Sequence, residues 1–204
     1  MPAHAHDLYG NAPDQAPVAL LLIDVINDLA FAGGKTLLKQ ALPMAKRLAA
    51  LKRRAAQCGI PSIYVNDNFG RWQSDFPHVL HHCLDAASCG KPLATLLHPA
   101  DDDYFVLKPK HSGFYSTTLD LLLQALGVHT LMLTGMAGNI CVLFTANDAY
   151  MRGYRLIISA DCVASQTVRE NTNALHLMQT VLKADVRPST ALDLPHMLAS
   201  PQPP

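Results

Sequence analysis

Long hydrophobic runs are missing from this chain. The longest, Val18 to Ile23, has six residues, whereas a membrane-spanning helix needs about 20. An excess of charge of either sign is also missing. Sixteen Lys and Arg balance sixteen Asp and Glu, with no basic block, so neither nucleic acid nor membrane is expected as a partner. Paired cysteines are missing too. The five are scattered at positions 58, 83, 89, 141 and 162 with no C-x-x-C, which gives no support to a zinc knuckle or a thioredoxin-type motif. Reduced thiols, mostly buried, in a cytoplasmic protein are the expectation. The polar, Pro/Gly-rich start "MPAHAHDLYGNAPDQAP" has no basic stretch followed by an apolar one, so no signal peptide is expected. His4 and His6 form an H-x-H pair, but in a tail-like segment a metal site is not the favoured reading.

What is present is a packable chain. Of 204 residues, half are hydrophobic and 16% charged, which suits one domain around one core. A single domain is expected over residues 17–195, with tails at 1–16 and 196–204. Short, near-continuous apolar runs recur: "VALLLID" (18–24), "PSIYVND" (61–67), "YFVLKP" (104–109), "HTLMLTG" (129–135) and "RLIISAD" (155–161). Such runs mark strands buried on both faces of a parallel sheet. Helical spacing lies between them, over 39–58, 117–126, 139–152 and 167–183, the first three stopped by Gly59, Gly127 and Gly153. "ADVRPS" (184–189) could add an edge strand. The alternation predicts an α/β three-layer, Rossmann-like fold, a mainly parallel central sheet flanked by helices. Residues 68–103 break the rhythm and predict an excursion with a short helix.

Ligands of open α/β sheets bind beyond the carboxyl ends of the strands. Those ends carry Asp24, the Asn66–Asp67–Asn68 run, Lys108, and the "GMAGN" turn that leads into Cys141. A thiol at a helix N-terminus faces unpaired N–H groups and the positive end of the helix dipole, which should lower its pKa toward thiolate. The glycines before it allow tight backbone geometry in which N–H groups could hold an oxyanion. An aspartate could take the thiol proton while a lysine steadies both charges. Ordinary readings compete: a packing cysteine, a solvated strand-end lysine, and an aspartate that caps a helix over 25–31.

Three blocks together resemble the isochorismatase-like cysteine hydrolases, which include nicotinamidases, N-carbamoylsarcosine amidases and isochorismatases. "LLIDVINDL" resembles the family's aspartate block. "LKPKHSGFYSTTLDLLL" is similar to its K-x-x-x-S-x-F block, and "LTGMAGNICVLFTANDAYMRGY" to its nucleophile block. The resemblance implies Asp24, Lys108 and Cys141 as catalytic residues in a hydrolase of a small amide-like C–N substrate, working through a thioester. It further implies a cis peptide between Met136 and Ala137 and an oxyanion hole from the N–H groups of Ala137 and Cys141. Homo-oligomerisation is expected on the same ground.

Departures from the family matter. Nicotinamidases carry a D-x-H metal motif after the second strand, where this chain reads "NDNFGRW" without the histidine; no metal and no other cofactor is expected. His78 and His82 are spaced i,i+4, which suits a metal, but ordinary histidines on a helix, with His81 beside them, are the favoured reading. Isochorismatases have glycine where Cys141 stands, so the thiol argues against their vinyl-ether hydrolysis. An isochorismatase-type or metal-aided hydrolase of the same family, or a non-catalytic ligand-binding relative, are the alternatives. Phe31, Asn68, Trp72 and Phe114 are the expected substrate-binding residues, with Phe69 nearby and Arg71 or Arg152 available to meet a carboxylate.

Overall fold

The first strand, β1 (Val18–Ile23), buries all six of its residues. Val18, Leu20 and Leu22 join one hydrophobic cluster, while Ala19, Leu21 and Ile23 join a second on the opposite face. That is the period-2 alternation of a strand with a packed layer on each side. In the computed structural model, which describes residues 15–70 and 75–199, β1 is the centre of a five-stranded sheet. With β2 (Ser62–Asp67), β3 (Tyr104–Lys108), β4 (Thr130–Met136) and β5 (Arg155–Ala164), the order is β3-β2-β1-β4-β5. Every pairing is parallel. The strand order reverses beside β1, the place where open α/β sheets form a crevice.

Helix α1 (Gly34–Gln57) covers one face with a stripe of Leu37, Ala41, Met44, Ala45, Leu48, Leu51 and Ala55, the three-and-four spacing of an amphipathic helix. It starts five residues before the expected Lys39, because it takes in Gly34 and carries Pro43 within it, two residues that read as breakers in sequence. Beyond β2 the excursion holds two short helices rather than one, α2 (Phe76–Leu84) and α3 (Lys91–Leu96). The other face is covered by α4 (Leu119–Ala125), α5 (Leu143–Met151) and α6 (Val168–Thr180). A Thr167–Glu170 capping box starts α6.

Four boundaries depart from the sequence expectation. β5 runs on to Ala164, because a register shift between Leu133 and Gly135 lets it keep pairing as far as Met136–Ala164. The proposed edge strand at 184–189 amounts to a parallel bridge between Ile157 and Asp185. The expected C-terminal tail begins inside a helix, α7 (Leu194–Ala199), whose Leu194 is buried and whose Met197 and Leu198 pack against the core. At the other end, Ala16 is buried and its N–H donates to the Leu126 carbonyl at 2.8 Å. His4 and His6 lie outside the described residues. Among the described residues, no helix is long and apolar enough to cross a membrane.

Candidate active site

β1 ends at Ile23, and Asp24 turns the chain out of the sheet with φ of 51°. Aspartate is one of the few residues that enters this left-handed region readily. Residues 25–31 are not helical, so Asp24 caps nothing. Its backbone N–H donates to the Val65 carbonyl at 2.9 Å, and its Oδ1 accepts the Asp67 N–H at 2.8 Å. The carboxylate is thus fixed across the ends of β1 and β2.

Lys108 ends β3, and its side chain is fully buried. Its Nζ lies 2.8 Å from Asp24 Oδ2, 3.8 Å from Asp67 Oδ2 and 3.6 Å from Cys141 Sγ. The solvated strand-end reading is therefore excluded. Burial works against its charge, but Asp24, the thiol and Asp67 more than offset that and hold its pKa above the ordinary lysine value.

The third group arrives on the turn after β4. Gly135 has φ of 107°, and a Cβ there would sit 2.1 Å from the Ile23 carbonyl oxygen; only glycine lets β4 run this close to the end of β1. The Met136–Ala137 peptide bond is cis. A π-helical turn, Gly138–Val142, follows and passes directly into α5. A Cβ on Gly138 would meet Asn171 Oδ1 at 2.6 Å and Ser165 Oγ at 3.0 Å, so α6 packs tightly under this turn. The Asn139 N–H donates to Ser165 Oγ at 3.2 Å, and Asn171 Nδ2 donates to the Val163 carbonyl at 3.1 Å. Cys141 is half-buried on the turn, hydrogen-bonded to both Lys108 and Asp24.

The thiol corrects one expectation. Burial and then the Asp24 carboxylate push its pKa up to about 12, against a smaller opposing effect of Lys108. It is four residues into a helical turn, half-buried and beside a carboxylate, so the helix terminus does not turn it into a resting thiolate. Asp24 is raised as well, by burial, which Lys108, the thiol and the Asp67 N–H oppose without cancelling. The resting arrangement is a thiol beside a carboxylate more basic than usual, with a fixed cation against both.

Residues that carry the sequence motifs clamp the two loops together. The Gly113 N–H donates to Thr145 Oγ1 at 3.0 Å, and that hydroxyl donates to the Cys141 carbonyl at 2.7 Å. The Ser112 hydroxyl bonds Asp148 of α5. The loop that follows Lys108 is thereby fastened to the helix that follows the Cys141 turn. The same loop brings in His111, whose Nδ1 lies 3.9 Å from Cys141 Sγ and whose ring packs on Phe144 at 5.4 Å. Sequence reasoning passed over His111 and gave Asp67 no role. The signal for His111 was its place inside the K-x-x-x-S block.

The expected substrate-binding residues divide. Phe31 is exposed in the loop after β1. Asn68 is buried, its N–H donating to the Lys108 carbonyl at 3.1 Å and its Oδ1 accepting from Gly70 at 2.9 Å. Phe114 departs from expectation: it belongs to the core, with Tyr154 at 6.0 Å and the Arg152 guanidinium at 4.7 Å. Arg152 itself is paired with Asp148 and Asp120. Trp72 and Arg71 lie outside the described residues. A cavity of about 440 Å³ is lined by Asp28, Asn68, Phe69, His78, His81 and His82, among others, and not by Asp24, Lys108 or Cys141. His82 Nε2 sits 2.8 Å from Asp28 Oδ2, and His78 Nδ1 2.6 Å from Asp75 Oδ1.

The sequence model of the isochorismatase domain matches residues 18–187. The chain belongs to the isochorismatase family. Isochorismatase family protein YaaI of Bacillus subtilis is 45% identical over 172 residues, which span 84% of this chain and 94% of that protein. Ureidoacrylate amidohydrolase RutB of Methylobacterium radiotolerans is 31% identical over 177 residues, 74% of this chain and 68% of that one. Among solved structures, N-carbamoylsarcosine amidase from Thermoplasma acidophilum superposes with a TM-score of 0.68 at 27% identity, covering 86% of this chain and 98% of that one. The five-stranded parallel sheet flanked by helices is thus the isochorismatase-type architecture, and the chain is a hydrolase of this family.

Proposed function

We propose that the protein hydrolyses the C–N bond of a small amide-like substrate through a thioester on Cys141. The observation that carries this reading is the buried Lys108 ammonium, 2.8 Å from the Asp24 carboxylate and 3.6 Å from the Cys141 sulfur. A cation buried at the end of an edge strand is expensive unless it is paired, and here it is paired with a base and a nucleophile together. Asp24 takes the thiol proton as the sulfur attacks the carbonyl carbon. Lys108 stabilises the negative charge that passes between them. The N–H groups of Ala137 and Cys141 hold the oxyanion. Asp24 then returns the proton to the leaving nitrogen, the C–N bond breaks, and the acyl group stays on sulfur until water releases it. The raised pKa of Asp24 suits both duties, since a base closer to the operating pH also makes a better acid afterwards. The names of two similar proteins, a ureidoacrylate amidohydrolase and an N-carbamoylsarcosine amidase, support carbamoyl and simple amide compounds as the first class to try. Release of ammonia or amine from a panel of such compounds, with and without a chelator, tests the proposal. Turnover that survives chelation is expected. Turnover lost on chelation and restored by a divalent metal would replace this mechanism with a metal-aided one.

A further inference from the structure

Two acids lie against the Lys108 ammonium, while the thioester reading, on which this inference rests, uses only one of them. Asp24 Oδ2 is 2.8 Å from Nζ and Asp67 Oδ2 is 3.8 Å from it. The sheet sets Asp67 there. It is the last residue of β2 and faces Lys108, the last of β3, in the parallel register. Its N–H donates to Asp24 Oδ1 at 2.8 Å, and the next N–H, of Asn68, donates to the Lys108 carbonyl at 3.1 Å. Its own Oδ1 accepts the Phe69 N–H at 2.6 Å, while Oδ2 is the oxygen nearer the ammonium.

A second acid matters because the first gives up its charge. At rest the site holds the Asp24 and Asp67 carboxylates, the ammonium and a neutral thiol. When the thiol proton moves to Asp24, that carboxyl becomes neutral. The negative charge goes to sulfur and then, as the C–S bond forms, to the carbonyl oxygen at the Ala137 and Cys141 N–H groups. The total charge is unchanged, but Lys108 has lost its partner at 2.8 Å. Its side chain is fully buried, and a buried cation without a counter-charge tends to shed its proton. Asp67, with its side chain 37% exposed, exchanges no proton in this cycle, so its charge is there throughout. His111, which meets the sulfur at 3.9 Å, brings no negative charge.

We infer that Asp67 is a positioning residue, the standing counter-ion that keeps the Lys108 ammonium charged and in place while Asp24 carries the thiol proton. It acts through the lysine and takes no part in the proton transfer.

Asp24→Asn stands in for the moment at which Asp24 is protonated. The state of Lys108 is read from the carbon-13 shift of labelled lysine Cε as the pH is varied, and Lys108→Met assigns the signal. In Asp24→Asn, Lys108 should remain an ammonium at neutral pH. In Asp24→Asn/Asp67→Asn it should lose its proton at a pH at least about 2 lower than in the single variant, since burial then acts unopposed. Equal titration in the two overturns the inference. If the double variant does not fold, adding Lys108→Met should restore folding, because the unmatched cation is the cause; failure to restore it also overturns the inference. Asp67→Asn alone keeps an acceptor for the Phe69 N–H and removes the charge. The burst of nitrophenolate from 4-nitrophenyl acetate, corrected with Cys141→Ser, reads acylation. It should fall about 10-fold in Asp67→Asn at neutral pH and return to within about threefold of the parent in Asp67→Glu. If Asp67 only ties its loop, Asp67→Asn matches the parent, which contradicts the inference. A parent that forms no acetyl-Cys141 removes the thioester reading and the role in acylation with it; the lysine titration decides the counter-ion role on its own.

Discussion

Asp24, Lys108 and Cys141 come from the ends of three strands, and more than 30 residues separate each from the next in sequence. His78, His81 and His82 come from one helix of nine residues. The histidine cluster is the denser in sequence, yet its ion pairs lie open to water. The His78 side chain is 78% exposed and that of His82 60%, and each has an aspartate partner. The strand-end group holds a fully buried lysine between two acids and a thiol. The difference teaches that burial at converging strand ends, rather than density of titratable residues, is what couples charged groups strongly in this fold. Water screens the exposed pairs and leaves them worth little; the same charges out of water shift one another's pKa and hold fixed positions.

Substitutions can break that contrast or sharpen it. The largest effect is expected from Cys141→Ser, which should fold with nearly unchanged thermal stability and lose several orders of magnitude in turnover, because Asp24 is a weak base for a hydroxyl. A cysteine that only packs would give the reverse, a loss of about 1–2 kcal/mol with activity kept. Asp24→Asn should lower turnover by about 10² to 10⁴. On the proposed mechanism the carboxylate is the active form in the parent, and its pKa is raised above 3.8, so the acid limb of the rate profile should lie above that value and rise with pH. Thiol alkylation by iodoacetamide should be slow at neutral pH, since burial and Asp24 hold the Cys141 thiol at about 12 rather than 9. Removing the Asp24 charge should speed it.

Stability separates the two regions further. Lys108→Met strands the Asp24 carboxylate in the interior and should cost about 3–5 kcal/mol by urea denaturation at neutral pH. That cost should shrink as the pH falls and Asp24 sheds its charge. His82→Gln should cost less than about 1 kcal/mol. Asp28, its partner, has its pKa lowered; burial opposes this, but the Ala30 N–H and His82 outweigh it. Its stabilising contribution is therefore present above 3.8 and disappears as the pH falls through the lower folded value.

Much of this arrangement was legible in the sequence. Strands buried on both faces leave unbroken apolar runs, so all five strands announced themselves, although β3, at the sheet edge, leaves Phe105 exposed; the strand-end rule then selected Asp24, Lys108 and the Cys141 turn. What was not legible depends on neighbours that only folding supplies. The π-helical turn at Gly138–Val142 looks like an ordinary helix start in one dimension. The raised thiol pKa comes from burial and a carboxylate 117 positions away in the chain, which outweigh the helix-terminus effect inferred from local pattern. Phe114 reads as a pocket-lining aromatic, and its burial comes with Tyr154 and Arg152 packed against it. His111 is adjacent to the sulfur only because Ser112 and Thr145 bind its loop to α5.

Mapping the covalent adduct tests the central claim most directly. The protein is exposed to a panel of carbamoyl and amide compounds, quenched in acid and digested, and the peptide that contains Cys141 is weighed. The account predicts an acyl group on Cys141 that appears with substrate, is cleaved by hydroxylamine, and is missing in Cys141→Ser. Continued amine release by Cys141→Ser at near the parent rate, with no acyl group on Cys141 in the parent, would contradict it.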